Sequence, residues 1–305
     1  MWAGFRGSVR RRLRKAAEPY VEKLMRNPGI VSNAYVSAKL LPLEAKKIFA
    51  GETHAVISRA LPALPSQDGL PVPPRELWEG WGEILDHYLD SGRDDVAAML
   101  AVLEGAGVDG EDLGRVLDFG CAAGRMLRFL PRREESEYWG VDIKARHIAW
   151  CQEHLSPPFF FAANTTFPHL PFEDDAFDLV YCGSVFTHIS DLADAWLLEL
   201  RRVLRPGGLA YITIHDEHSI EMLFERYPDR GLTKTLQRLD AETGAVSDLQ
   251  SFFAIGIEPR THVFYDNAYL VMKWSRFLEV VSVTPRAMDY QTALLLRKRP
   301  RRTAA

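Results

Sequence analysis

The segment Val116-Leu-Asp-Phe-Gly-Cys-Ala-Ala-Gly-Arg125 decides the reading of this chain. An apolar run ends in an acid, Asp118, then passes through glycines at 120 and 124 into helical spacing over residues 125–130. Glycine reaches backbone conformations closed to other residues and lets a ligand approach the main chain, so strand, glycine turn and helix in that order make a binding loop. The spacing is not the G-x-G-x-x-G of a dinucleotide site, and no G-x-x-x-x-G-K-[ST] occurs, so NAD and ATP fall behind as ligands.

On both sides of this segment, short apolar runs alternate with amphipathic ones. Strands are predicted over 115–119, 138–141, 159–162, 177–182 and 209–215, and helices over 125–130, 145–154 and 192–204, the last ending at Arg205-Pro-Gly-Gly. That rhythm belongs to a parallel sheet covered on both faces. Two further runs, 278–284 and 291–298, stand too close for a parallel crossover and are predicted to form an antiparallel hairpin at one edge. The fold class is therefore α/β: a doubly wound, seven-stranded sheet, mostly parallel, with a C-terminal antiparallel hairpin and an N-terminal helical extension.

The 305 residues suit one large domain with an extension, and 47% hydrophobic with 26% charged residues is an ordinary globular balance that excludes a disordered or collagenous chain. A net charge of -4 and a pI near 6.2 give no global cation field, so nucleic acid is not an expected partner. Three cysteines without C-x-x-C spacing favour neither a disulfide framework nor structural zinc, and no run has the length and apolarity of a membrane span. A cytoplasmic bacterial protein is expected, the excess of arginine over lysine being a bias of GC-rich genomes.

Four parts follow from the composition. Residues 1–65 form a basic, helical extension, with Arg6, Arg10, Arg11, Arg12, Arg14 and Lys15 preceding the first acid; a solvated helix, peripheral contact with the inner membrane surface and an organellar transit peptide are the three readings. Residues 66–110 are a helical lead-in and lid, with prolines over 62–74 followed by helices over 76–89 and 94–103, the second capped by Asp94. Residues 111–298 are the main domain and 299–305 a basic tail.

Residues 111–298 resemble the class I S-adenosylmethionine-dependent methyltransferases, which have a Rossmann-like sheet. The resemblance is carried by the strand, acid and glycine turn, Gly140-Val-Asp-Ile143, Leu170-Pro-Phe-Glu-Asp-Asp-Ala-Phe-Asp178 and Arg202-Val-Leu-Arg-Pro-Gly-Gly208. Ala122 departs from the glycine usual at that place. By this resemblance the cofactor is S-adenosyl-L-methionine, with Asp118, Gly120, Cys121 and Gly124 beside its methionine part and Asp142 on its ribose hydroxyls. Ile143 packs on the adenine, Asn164 faces its amino group, and Ser184 lies on the loop bordering cofactor and acceptor.

That loop, Gly183-Ser-Val-Phe-Thr-His188, and the end of the next strand, His215-Asp-Glu-His218, bring two imidazoles to the acceptor rim, so His188 and His215 are the candidate general bases. Four consecutive residues in an extended segment alternate faces, so no metal site is expected from 215–218. Pro71 to Pro74, Ser184 to His188 and Asp289 to Thr292 resemble bacterial methyltransferases that occur beside glycan-building enzymes. The resemblance implies O-methylation of a sugar hydroxyl on a glycan or glycolipid. The alternatives are a small-metabolite methyltransferase, with a closed pocket lined by Trp78, Trp81 and Phe186, and a noncatalytic cofactor-binding partner subunit. Aromatics over 252–269 are readable as core or as a clamp on a planar or sugar ring. Oligomeric state is not fixed by the sequence.

Overall fold

The computed structural model describes residues 61–65, 69–81, 84–256 and 261–300. The expected basic N-terminal helix, all but the end of the 1–65 extension and most of the 299–305 tail lie outside these residues.

Seven strands of the sheet are the expected ones. Strands β1 (Arg115–Phe119), β2 (Glu137–Asp142), β3 (Phe160–Ala163), β4 (Phe177–Cys182) and β5 (Leu204–Asp216) are parallel in the order β3-β2-β1-β4-β5. After two strands described below, β8 (Glu279–Met288) and β9 (Gln291–Arg297) form the antiparallel hairpin, with β9 antiparallel to β5 from Leu209↔Arg297 to Ile214↔Thr292. Central strands such as β4 are buried almost throughout because helices cover both faces. On one face lie α1 (Leu85–Gly105) and α2 (Ala145–His154), whose Met99, Leu103, Ile148 and Trp150 pack with Leu179, Tyr181 and Leu295 of the sheet. On the other lie α3 (Ala193–Val203) and, after the helix pair α4 (Glu217–Arg226) and α5 (Gly231–Thr243), the helix α6 (Asn267–Trp274). The chain reverses direction of winding between β1 and β4, and the carboxyl ends of those strands open the crevice where doubly wound sheets bind ligands.

Three elements differ from the sequence reading. The helix expected over 125–130 is a single 3-10 turn, Leu127–Phe129, because Leu130 precedes a proline and is extended (ψ 142°). The helices expected over 76–89 and 94–103 are instead one helix, α1, preceded by a strap containing a 3-10 turn at Arg75–Leu77; Asp94 sits inside α1 and caps nothing. Gly92 does not break that helix. Its missing side chain admits the Arg125 carbonyl, which a Cβ would meet at 2.5 Å. The third difference is a ribbon of two short strands, β6 (Phe252–Ile255) and β7 (His262–Tyr265), antiparallel to each other, with β7 running parallel to the last two residues of β5. Four-residue strands are too short for alternation to announce them. The ribbon makes the hydrogen-bonded sheet nine-stranded rather than seven-stranded.

Candidate active site

The turn after β1 is built from left-handed residues: Gly120 (φ 89°), Ala122 (φ 46°) and Gly124 (φ 75°). Glycine is required at 120 twice over, since a Cβ there would lie 2.3 Å from Val185 Cγ2 of the loop after β4. The amides of Gly120 and Cys121 donate to the Val141 carbonyl at 2.8 and 3.0 Å, tying the turn to β2. At the end of β2, Asp142 accepts from the Ala122 amide through Oδ2 and from the Lys144 amide through Oδ1, both at 2.8 Å. Burial raises its pKa while those amides and His147 pull it back. Each carboxylate oxygen has a second lone pair, so Asp142 is oriented by the backbone and still able to accept from a ribose diol.

The neighbouring residues fit an adenosyl group. Asn164, directly after β3, is 4% exposed, and its side-chain oxygen is buried without a hydrogen-bond partner. An orphaned acceptor of this kind calls for a donor, which an adenine amino group supplies. Ile143 is half-buried beside Asp142. Cys121 contributes its backbone only: its thiol lies under the turn against Gly140, where a Cβ would stand 2.8 Å from Sγ, and burial pushes it well above its ordinary pKa.

Asp118 lies at the floor of the cleft, 3% exposed. Burial pushes its carboxyl up to about 7, against the opposing pull of Tyr181 and Arg125. Arg125 is the residue sequence reasoning missed. Buried itself, it pairs with Asp95 of α1 at 2.7 Å and stacks its guanidinium 3.8 Å from the centre of the Trp81 ring. The arginine stands in the quoted segment, but its partners lie on α1 and the strap, which no local pattern connects to it.

Trp78 and Trp81 line the cleft together with Asp118, Gly120, Arg125 and Gly183. Phe186 does not, contrary to expectation: it is wholly buried on the other face of the sheet, edge-on to Trp274 at 5.3 Å. The side chain it was expected to offer the pocket serves the core instead.

On the acceptor side, the loop after β4 is held by a polar network. Ser184, itself left-handed (φ 58°), donates its amide to Thr213 Oγ1 at 2.7 Å; Thr213 donates to Gln291 Oε1, and Gln291 donates back to Ser184 Oγ at 2.9 Å. The Ser184 hydroxyl is thus engaged with the protein. His188 Nδ1 lies 2.6 Å from the Thr261 carbonyl, which leads into β7. A carbonyl accepts only, so Nδ1 carries the proton and, in the neutral ring, Nε2 carries the lone pair. Burial lowers the His188 pKa. His262, which no sequence pattern singles out, stands 5.4 Å from the His188 ring and 6.1 Å from His215. His215 itself is 1% exposed between Phe264 and Tyr290, and burial, reinforced by the two other histidines, drives its pKa well below the usual value.

Asp216, Glu217 and His218 bring ligand-type atoms within 4.8 Å of one another. Asp216 caps α4 through the Ser219 amide, and Glu217 accepts from the Asn267 amide. A cation there would face the positive end of a helix.

Fold and cleft together define an α/β protein with an adenosyl-type site at the end of β1. Residues 117–212, about a third of the chain, match the family model described as "Methyltransferase domain", and over that stretch the chain is similar to S-adenosylmethionine-dependent methyltransferases. It is similar to the malonyl-[acyl-carrier protein] O-methyltransferase of Salmonella typhimurium, 32% identical over 104 residues, covering 34% of this chain and 40% of that protein. It is also similar to phthiotriol/phenolphthiotriol dimycocerosates methyltransferase 1 of Mycobacterium ulcerans, 32% identical over 111 residues, with 35% and 40% covered. The chain therefore matches only about two fifths of the length of these curated relatives. Among solved structures, the 1,6-didemethyltoxoflavin-N1-methyltransferase of Burkholderia thailandensis aligns with 74% of this chain and 82% of its own at 15% identity and a TM-score of 0.46.

Proposed function

We propose that the protein methylates a sugar hydroxyl of a glycan or glycolipid, with S-adenosylmethionine as donor and His188 as general base. The observation that carries this reading is the His188 ring, whose Nδ1 is committed to the Thr261 carbonyl. Nε2 is then the basic nitrogen, and the lowered pKa keeps the ring neutral and able to accept a proton at physiological pH. An alcohol needs such a base, whereas an amine or a carbanion acceptor does not need it at the same point. The donor supplies a sulfonium-bound methyl group. The chain's own work is to hold the ribose on Asp142 and the adenine beside Ile143 and Asn164, and to take the hydroxyl proton on His188 Nε2. Of the two candidate bases, His188 is favoured because it is partly exposed while His215 is enclosed by aromatic rings.

One relative's name specifies oxygen as its acceptor atom, which supports an oxygen acceptor. Among the described residues no helix is long and apolar enough to cross a membrane, so a membrane-bound acceptor would be reached from the surface. That is a role for the basic N-terminal segment.

The test is incubation of the full chain with methyl-labelled S-adenosylmethionine and either glycan and glycolipid extracts or small-metabolite extracts. Label in an alkali-stable sugar methyl ether is expected. Label confined to a small metabolite would replace the sugar reading. Saturable cofactor binding with no labelled product in any extract would point to the noncatalytic partner subunit.

A further inference from the structure

We infer that Gln291, at the start of β9, is a positioning residue: through Ser184 it fixes the loop that holds His188 against the cofactor turn. The inference rests on the reading of His188 as the base, and its test separates the two.

The loop 183–188 touches both halves of the site. At Val185 it packs on Gly120 of the cofactor turn, so closely that a Cβ on Gly120 would lie 2.3 Å from Val185 Cγ2. At its end it presents the His188 ring. A base has to stand within hydrogen-bond reach of the proton it takes, so the place of this short loop sets the distance from methyl donor to base. The far end is tied to the ribbon, where the Val263 amide donates to the Thr187 carbonyl at 2.9 Å and His188 Nδ1 to the Thr261 carbonyl at 2.6 Å. The near end begins with Ser184 in the left-handed region (φ 58°), a state that persists where surrounding contacts over-determine it.

Those contacts form a chain with one direction. The Ser184 amide donates to Thr213 Oγ1 at 2.7 Å, and the Thr213 hydroxyl donates its proton to Gln291 Oε1, also at 2.7 Å. Gln291 Nε2 then donates to Ser184 Oγ at 2.9 Å. The Thr187 hydroxyl donates to the Ser184 carbonyl at 2.9 Å, which leaves its oxygen to accept from Ser184 Oγ at 3.3 Å. Each hydroxyl has a single proton, so every link has its donor assigned. Gln291 suits its place because an amide accepts at one atom and donates at the other, whereas a carboxylate only accepts and an ammonium only donates. Thr213 and Gln291 are 0% and 4% exposed, so water does not replace a lost partner there and the loss is felt by the loop.

Gln291 is a fixed post because the turn before it is pinned from both sides. The Tyr227 hydroxyl donates to Asp289 Oδ1 at 2.8 Å, Arg230 faces Oδ2 at 3.8 Å, and Tyr290 stacks on His215 at 5.4 Å. Asp289 itself is left-handed (φ 51°), which an aspartate tolerates in a turn. The segment Asp289 to Thr292 thus ties the link between α4 and α5, the end of β5 and the loop after β4 to the last hairpin.

Two variants of the full chain test this. Gln291→Met removes both hydrogen bonds at nearly constant volume, and Ser184→Ala breaks the chain at its middle. In the ligand-free protein, the imidazole nitrogens are followed by NMR through pH. In each variant the His188 midpoint should rise toward the ordinary imidazole value as the ring gains water. The amides of 184–188 should exchange roughly tenfold faster, and unchanged protection in β1 and β2 shows that the variant is folded. On the acceptor found by labelling, turnover should fall about tenfold with the S-adenosylmethionine KM unchanged, and the pH midpoint of activity should follow the His188 midpoint. The double variant should lose no more than the worse single one, because both act through one chain. An unmoved His188 midpoint in both folded variants overturns the inference even where turnover falls, since a purely structural loss leaves the ring as it was. Additive losses in the double variant overturn it as well. Full turnover in His188→Ala overturns the base reading alone, because the titration still decides whether Gln291 holds the ring.

Discussion

Replacing Asp118 by asparagine should stabilise the ligand-free protein and weaken its cofactor site, and the size of the first effect follows from burial. The carboxyl moves from an ordinary 3.8 to about 7 because desolvation outweighs Tyr181 and Arg125. At about 1.4 kcal/mol per tenfold change, holding this group ionised in the fold costs on the order of 4 kcal/mol at pH 8. A group whose folded pKa is raised adds stability below its unfolded value, and this is lost as pH climbs through the folded value. Below pH 4 both states bind the proton and the asparagine gains nothing. Roughly 2 to 3 kcal/mol of the difference should develop between pH 5 and pH 8. In a chain of this size each kcal/mol moves the melting temperature by about 2 to 4 °C, so the gap between the two proteins should widen by several degrees over that interval. Thermal unfolding at both pH values, without cofactor, is the assay. Parallel pH dependence of the two melting curves would refute the buried, protonated Asp118.

Three other outcomes follow from the same geometry. Ala122→Gly should raise the free energy of unfolding in urea by about 1 kcal/mol, because an alanine held at φ 46° pays a steric cost that glycine avoids; a lower midpoint would show the turn unstrained. Asp142→Ala should weaken S-adenosylhomocysteine by about 2 to 3 kcal/mol in calorimetry, since two charge-assisted bonds go and the Ala122 and Lys144 amides lose their acceptor. Full affinity in the folded variant would remove Asp142 from the ribose site. His188→Ala should lower turnover on the acceptor found by labelling by about 10² to 10⁴ while cofactor affinity holds. In the wild type, activity should rise with pH through a midpoint below the ordinary imidazole value, because burial lowers the His188 pKa and the neutral ring is the base. A midpoint above that value would exclude His188.

The turn after β1 was legible because it is local: apolar periodicity and glycine spacing marked the strand and Gly120 and Gly124, while the roles expected of Asp118 and Asp142 came from the resemblance to the methyltransferases. The strap was not legible in the same way. Residues 76–89 have helical apolar spacing, yet Pro73-Pro74 before them and Gly80 within them leave only a 3-10 turn, and the helix begins at Leu85. Glu79 of the strap pairs with Lys144, 65 residues further on in sequence, and an acid in one segment gives no sign of which base it will meet. Arg125 failed to stand out for the same reason, because its partners Asp95 and Trp81 come from other elements.

His188 and His215 looked equivalent in the sequence, each at a strand's carboxyl end, and the fold separates them through the ribbon β6–β7. The ribbon's β7 pairs with β5 at His215 and Asp216, laying Phe264 against the His215 ring and burying it. The residue leading into that strand, Thr261, turns its carbonyl to His188 and fixes its tautomer, and the Val263 amide donates to Thr187 one residue away. One inserted ribbon therefore buries one imidazole and fixes the tautomer of the other, the proposed base. The match to the methyltransferase domain ends at residue 212, before this ribbon begins. On the proposed reading, substitutions in β7, outside the matched residues 117–212, should alter acceptor chemistry while leaving cofactor affinity in place.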